Sequence, residues 1–552
     1  MTQLRGVGIG LGVAQGAVAR MAAPLPAPGD APSALSADEE TARAREAVTA
    51  VARELEARGA QAGGAAQEVL EAQAMMAEDP ALADEIGTRI ADGKTAEWAV
   101  HDAFASFRER LTAMGGYLGE RAADLDDVAQ RVVARLRGVP APGVPDPGHP
   151  FVLVAKDLAP ADTALLDLDK VLALVTTEGG PTSHTAILAR EKGIVAVVGA
   201  AEAGRLADGD TVIVDAAAGV VVTAPTADEL DQAQQRAQAR AAAASAPLTP
   251  GALADGTAVP LLANLGSPEG AAEAVALGAE GVGLFRTEFL FLSSDQAPTV
   301  AQQRESYTAL LSAFPGQKVV ARVLDAGADK PLAFLNDTPE DNPALGVRGI
   351  RALRASEDIL RDQLTALAEA DAATEADLWV MAPMIATVEE TRYFVDLARE
   401  YGVKTAGVMV EVPSAALLAD RVLAVADFAS IGTNDLTQYA MAADRLLGSV
   451  ATFQDPWHPA VLRLIGEVGA AGTRVGKPVG ICGEAAADPL LAVVLVGLGA
   501  TSLSMAPSAL ADVRAALLQN TLDDARRIAE AAVAAEDAAS AREAARAAAT
   551  QQ

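Results

Sequence analysis

Cysteine occurs once in this 552-residue chain, at Cys482, so no internal disulfide can staple it and a reducing compartment suits it. Aromatic residues make up only 3% of a sequence that is 51% hydrophobic, so its cores must be assembled mainly from Ala, Val, Leu and Ile. Basic charge is also scarce. With 43 Lys and Arg against 74 Asp and Glu, the formal net charge is −31. Such a balance works against nucleic acid or an anionic membrane as a general partner, because phosphate-rich surfaces are held through Lys and Arg. A small basic protein suits it better. No apolar run reaches about 18 residues and no charged-then-apolar leader opens the sequence, so the expectation is a cytoplasmic protein, neither secreted nor membrane-inserted.

Histidine is nearly as rare, with 4 in all, and one of them stands out. The stretch Gly179-Gly180-Pro181-Thr182-Ser183-His184-Thr185 follows an apolar, β-branched run, Lys170 to Thr177, and leads into the helical spacing of Thr185 to Lys192. His184 therefore belongs at a helix N-terminus, where free backbone N–H groups and the positive end of the dipole disfavour an imidazolium but suit an imidazole carrying a phosphate. Read locally, it is either such an acceptor or a capping residue in a tight turn. His101, His149 and His458 have no comparable surroundings.

The length calls for three or four domains. Leu4 to Arg20 reads as strand and turn but is too short to fold alone. Five amphipathic helical runs follow, 37–59, 65–76, 80–92, 96–114 and 117–136, and a proline-rich connector closes them. Strands then resume at 152–155, 170–177, 193–198 and 211–214, so the helices are expected to be inserted into an α/β domain. Residues 226–245 read as a linker helix.

From Gly256 onward strand and helix alternate. Candidate strands are 259–265, 281–285, 319–324, 378–384, 405–410, 428–432, 478–482 and 502–505, a (β/α)8 pattern expected to close into a TIM barrel. Polar residues fall at the strand ends: Asn264, Arg286, Arg322, Asp325, Glu411, Asn434, Asp435, Cys482 and Glu484. In that fold they converge on one face. Arg286, Arg322 and Arg445 together suit a multiply anionic ligand, and Glu411 with Asp435 supplies two hard oxygen ligands for Mg²⁺. The competing reading is that these arginines and acids pair with one another at the barrel rim. The residues from about Ile528 are Ala-rich and charged, and are expected to form a solvated helix or a frayed tail.

The histidine stretch resembles the phosphohistidine signature of the phosphoenolpyruvate-utilising enzymes, and from about Gly6 to about Asn520 the chain resembles their Enzyme I family, which serves bacterial sugar phosphotransferase systems. The strings Gly283-Leu284-Phe285-Arg286-Thr287-Glu288, Gly407-Val408-Met409-Val410-Glu411 and Gly432-Thr433-Asn434-Asp435-Leu436-Thr437-Gln438-Tyr439 carry the likeness in the barrel. Pro181 stands where the family commonly has Arg.

The resemblance implies a swivelling phosphohistidine α/β domain (1–30 and 142–225) with an inserted all-helical subdomain (31–141) on which the phosphocarrier HPr docks. A linker helix (226–250), a phosphoenolpyruvate-binding barrel (251–527) and the Ala-rich tail (528–552) complete the chain. By the same resemblance His184 accepts the phosphoryl group and Thr163 hydrogen-bonds its ring. Arg286, Arg322 and Arg445 hold phosphate and carboxylate, with Asn434, Asp435 and Arg348 assisting. Glu411 and Asp435 hold Mg²⁺, Cys482 protonates the enolate of pyruvate, and the chain forms a homodimer through the barrel. A pyruvate phosphate dikinase is disfavoured because no Gly-rich phosphate loop is present. A non-catalytic metabolite sensor is the remaining alternative.

Overall fold

The structure, a computed structural model, describes residues 2–550 apart from 11, 23–24, 63, 115–121, 140–142, 146, 159–165, 168, 181–182, 184, 187–188, 190–192, 245–247, 293–295, 327–331, 333, 336–339 and 446. His184 and Thr163 lie outside the described residues. Two compact units emerge, Met1–Ala239 and Arg240–Gln552.

The first unit contains a mixed sheet of eight strands: β1 (Thr2–Arg5), β2 (Val7–Ile9), β3 (Val13–Arg20), β4 (Phe151–Ala155), β5 (Val171–Thr176), β6 (Ala196–Val198), β7 (Thr211–Asp215) and β8 (Val220–Thr223), in the order β1-β8-β7-β3-β4-β5-β6-β2. Every residue of β4 is buried, and alternate ones serve opposite faces. Leu153 and Ala155 join one apolar cluster while Val152 and Val154 join the other, as strand geometry dictates. β3 and β4 are parallel neighbours, Ala17 opposite Phe151, and everything between them forms the insertion. The insert's helices Ala37–Ala62, Gly64–Ala77, Pro80–Ala91, Ala96–Met114 and Ala122–Arg137 close over a core of their own around Leu55, Leu70, Leu82, Phe104 and Val132. Strand β8 was not legible in the sequence. Its four residues follow β7 after a tight turn and pair with it antiparallel.

The second unit is a closed barrel of parallel strands: β9 (Leu261–Leu265), β10 (Gly281–Arg286), β11 (Lys318–Arg322), β12 (Asp377–Ala382), β13 (Thr405–Val410), β14 (Ala429–Gly432), β15 (Val479–Cys482) and β16 (Ser502–Met505), with β16 returning to β9. This is the TIM barrel expected from the strand–helix alternation, with strand ends within two residues of those read from the sequence. Alternation again divides the side chains. Leu378, Val380 and Ala382 of β12 face the helices, while Met381 packs inside the barrel with Leu284, Val320, Met409, Phe428 and Cys482.

The C-terminal segment departs from the solvated or frayed tail expected of it. Helices Leu522–Val533 and Ala538–Ala549 each begin with a capping box, at Thr521 and Asp537. Ile528, Ala529, Ala532, Ala541, Ala545 and Ala548 belong to the barrel's outer core. Arg542 lies over the Trp457 ring at 5.4 Å and reaches Asp455 at 3.2 Å. Alanine is what a close helix–helix contact admits, so a composition that looked featureless is a packing surface.

Candidate active site

The polar residues at the strand ends meet where the fold sends them, at the C-terminal face of the barrel, around a cavity of about 230 Å³. Arg286 ends β10 and Arg322 ends β11. Glu411 follows β13, Asn434 and Asp435 sit in the first turn of helix Thr433–Met441 after β14, and Cys482 ends β15. All six line the cavity, together with Arg445, Glu288 and Asp325. Asn264 does not. It lies within β9, its amide donates to the Ser504 carbonyl at 3.3 Å, and it tethers neighbouring strands.

The ions form a chain. Arg322 Nη2 meets Glu288 Oε1 at 2.7 Å and its Nη1 meets Asp325 Oδ2 at 3.1 Å. Arg348 bridges Asp325 Oδ2 at 3.0 Å and Asp435 Oδ1 at 3.1 Å, and Arg445 Nη1 reaches Asp435 Oδ2 at 3.4 Å. The rim pairing that competed with a ligand site is therefore real for Arg322, Arg348 and Arg445. Arg286 is different. It makes no ion pair among the described residues, its guanidinium is open to the cavity, and surrounding protein together with the charge of Arg322 lowers its proton affinity. For Arg322, burial works in the same direction, but Glu288 and Asp325 outweigh it and keep the guanidinium charged. The chain leaves Nε of both Arg322 and Arg348 buried without a hydrogen-bond partner.

Glu411 is 1% exposed, and Met384 N donates to its Oε1 at 2.6 Å. Burial, with Asp435 and Asp325 close by, pushes its carboxyl up to about 8. Acids crowded this way accommodate a divalent cation. Among the described residues no cluster of three or more His, Cys, Asp or Glu surrounds a common point. Glu411 and Asp435 would present two carboxylates to Mg²⁺, a donor set that fits an ion taking its other ligands from substrate and water.

Cys482 is 2% exposed, its Sγ donates to the Ile431 carbonyl at 3.5 Å, and burial pushes the thiol up to about 11. It stays a thiol at neutral pH. The next residue, Gly483, has φ +115, and a Cβ there would come within 2.5 Å of Thr433 Oγ1. Asn434 Oδ1 accepts from Glu484 N at 3.3 Å, so the β14 and β15 loops are tied together beside the thiol.

In the other unit, the residues flanking His184 are fixed. Thr185 is fully buried and its hydroxyl donates to Asp157 Oδ1 at 2.8 Å. Ser183 Oγ accepts from Ala186 N at 3.3 Å, a cap on the turn that follows.

The sequence placed Glu288 in a family-like string and Asp325 at a strand end without assigning either of them work. Their adjacency to Arg286 and Arg322 was the available signal; that they are the counter-ions was not.

Three families of known proteins match successive parts of the chain: "PEP-utilising enzyme, N-terminal" over residues 5–121, "PEP-utilising enzyme, mobile domain" over 147–219 and "PEP-utilising enzyme, PEP-binding domain" over 240–522. A phosphoenolpyruvate-protein phosphotransferase of Streptomyces coelicolor is 54% identical over 549 residues, covering 99% of each chain. One from Haloferax volcanii is 41% identical over 84% of this chain and 83% of its own. The corresponding Bacillus subtilis protein is 37% identical over 93% of this chain and 94% of its own. With an arginine-lined pocket at the barrel's C-terminal face and relatives matched over nearly the whole chain, the chain belongs to the phosphoenolpyruvate-utilising enzymes, in the phosphoenolpyruvate-protein phosphotransferase (Enzyme I) family.

Proposed function

We propose that the chain transfers the phosphoryl group of phosphoenolpyruvate to His184, releases pyruvate, and passes the phosphoryl group on to a histidine of HPr. The observation that carries this reading is the cavity itself, which gathers Arg286, Arg322 and Arg445 with the carboxylates of Glu411 and Asp435 and a buried thiol. Phosphoenolpyruvate brings a phosphate and a carboxylate, which the arginines neutralise and orient. Mg²⁺ held by Glu411 and Asp435 would supply further charge neutralisation on the substrate oxygens. Transfer breaks the bond between phosphorus and the enol oxygen and forms one between phosphorus and a ring nitrogen of His184. Phosphoryl transfer of this type depends on in-line positioning and charge stabilisation, both of which fixed guanidinium groups provide. The electron pair left on the enol oxygen makes an enolate, whose methylene carbon takes the Cys482 proton; the thiolate recovers a proton from solvent.

Thr163 is proposed to fix the histidine tautomer, Asn434 to assist the arginines, and Arg348 to hold Asp435 in place. The helical insert is the proposed HPr-docking element, supported by the chain's charge of −31 and a basic partner's complementarity. A homodimer through the barrel is supported by apolar side chains that it leaves exposed, among them Leu345, Leu417, Leu447 and Phe453. No described helix is long and apolar enough to cross a membrane, and a cytoplasmic site of action is proposed.

The deciding experiment incubates the protein with phosphate-labelled phosphoenolpyruvate and Mg²⁺, with and without HPr. Acid-labile, base-stable label is expected on the protein, lost in His184→Ala and chased onto HPr when HPr is added. Label at wild-type level in His184→Ala overturns the assignment.

A further inference from the structure

Glu288 is a carboxylate at the pocket to which the reaction described above gives no part. It stands two residues past Arg286, at the start of helix Glu288–Leu292, and its side chain is 5% exposed. One oxygen is doubly engaged: Oε1 accepts from Arg322 Nη2 at 2.7 Å and from Asp325 N at 3.1 Å. The other, Oε2, is buried with no hydrogen-bond partner. A buried ionised oxygen left bare is costly, and an apolar or amide side chain of similar size would fill the same space without it. Its charge acts on two of the arginines that line the cavity, Arg322 by direct contact and Arg286 across the pocket.

Two effects follow from that placement. The engaged oxygen fixes the direction of the Arg322 guanidinium. The charge opposes the attraction that the guanidinium groups of Arg286 and Arg322 offer an incoming anion. Binding energy realised equally in the ground and transition states lowers KM without raising kcat, and an overly cationic pocket would hold a phosphoenolpyruvate trianion in that unproductive way.

Resting on the reading of this cavity as a phosphoenolpyruvate site, we infer that Glu288 is a positioning residue that aims Arg322 and tempers the pocket's affinity for unreacted substrate. Loss of the charge with retention of the aim tightens ground-state binding and slows turnover. Loss of both weakens binding.

The test is calorimetric titration of phosphoenolpyruvate with Mg²⁺ into the full-length protein carrying His184→Ala, which blocks turnover, with and without Glu288→Gln. Glutamine keeps an acceptor for Arg322 and for Asp325 N, replaces the bare oxygen by an amide donor, and removes the charge. Removing one charge from this range is expected to tighten binding by about threefold to thirtyfold, depending on the effective dielectric. With His184 intact, Glu288→Gln is expected to lower both KM and kcat, the latter by about tenfold or more, a split that a merely structural residue does not produce. Glu288→Met, which removes charge and acceptor together, is expected to weaken binding and so separates the two effects. If the His184→Ala protein itself fails to bind phosphoenolpyruvate, the reading of the site fails. If it binds and Glu288→Gln leaves affinity equal or weaker, the inference about Glu288 is overturned while the site stands.

Discussion

The backbone N–H of Met384 donates to Glu411 Oε1 at 2.6 Å from a left-handed conformation, φ 57, that non-glycine residues rarely adopt. The strain is held in place from the opposite side by Gly349, itself at φ +58, whose missing Cβ leaves room for the Met384 side chain. Strained backbone at a site persists because the surrounding structure over-determines it, and here it fixes a carboxylate proposed to hold Mg²⁺.

Gly349→Ala is therefore expected to damage the site more than its distance from the cavity suggests. An added Cβ would come within 2.8 Å of Met384 Cβ and 3.2 Å of Asp325 Oδ1, in a conformation that alanine resists. A stability loss of about 1–3 kcal/mol is expected, together with a higher Mg²⁺ requirement, because the Met384–Glu411 contact shifts. Denaturant unfolding and a Mg²⁺ titration of activity check the two halves.

Cys482→Ala is expected to leave phosphoenolpyruvate binding nearly unchanged and to slow pyruvate formation by about a hundredfold to ten-thousandfold, the range of general acids. The facial selectivity of deuterium incorporation into the methyl group of pyruvate, made in deuterated water from isotopically labelled substrate, should be lost. Normal turnover with unchanged selectivity would leave Cys482 a small buried side chain.

The same thiol gives a pH prediction. Its folded pKa, about 11, lies above the 9.0 of the unfolded chain, so the fold favours the protonated form. The associated stability is fully present below about pH 9 and is lost as pH rises through about 11. Iodoacetamide should accordingly react very slowly with the native protein between about pH 7 and 9 and rapidly once denaturant unfolds the barrel, since the thiolate is the nucleophile. Fast alkylation of native protein at neutral pH would contradict the buried thiol.

Glu411→Gln and Asp435→Asn should each lower autophosphorylation by about a hundredfold or more, in line with losing a group that stabilises transition-state charge. Stability should respond differently in the two. Glu411 carries a carboxyl raised by burial and by neighbouring acids, so its amide is expected to melt no lower than wild type. Asp435 pairs with Arg348 and Arg445, and its amide leaves those guanidinium groups short of charge, so it should melt lower. Wild-type activity with full Mg²⁺ dependence in both variants would place the metal elsewhere.

At the C-terminus, Ala545→Asp is expected to destabilise the protein by about 2–4 kcal/mol, because it buries an unpaired charge where the side chain is fully covered. A substitution at Glu543, an acid outside that apolar contact, should be nearly silent. Equal melting of both variants would return this segment to a solvated tail.

Much of the architecture was written in the sequence because it depends on local periodicity. β-Branched runs alternating with amphipathic helices sufficed to place all eight barrel strands, and a strand that ends on or just before a charged residue is legible without a structure, as Arg286, Arg322 and Glu411 demonstrate. Short segments were less legible: the four residues of β8 carry no period long enough to register, and pairing with β7 makes them a strand. Alanine-rich sequence says nothing about its own burial, so the C-terminal helices became part of the core only once a neighbouring helix was there to meet them. The site divides along the same line. Residue type and strand-end position determined which side chains gather, since both follow from the chain's own pattern. Only tertiary structure decided who pairs with whom: that Arg322 leans on Glu288, that Arg348 spans Asp325 and Asp435, that Arg286 is left facing the cavity, and that a strained Met384 holds Glu411. Those contacts join residues far apart in sequence, and their energies depend on burial and on the local field, neither of which exists until the barrel has closed.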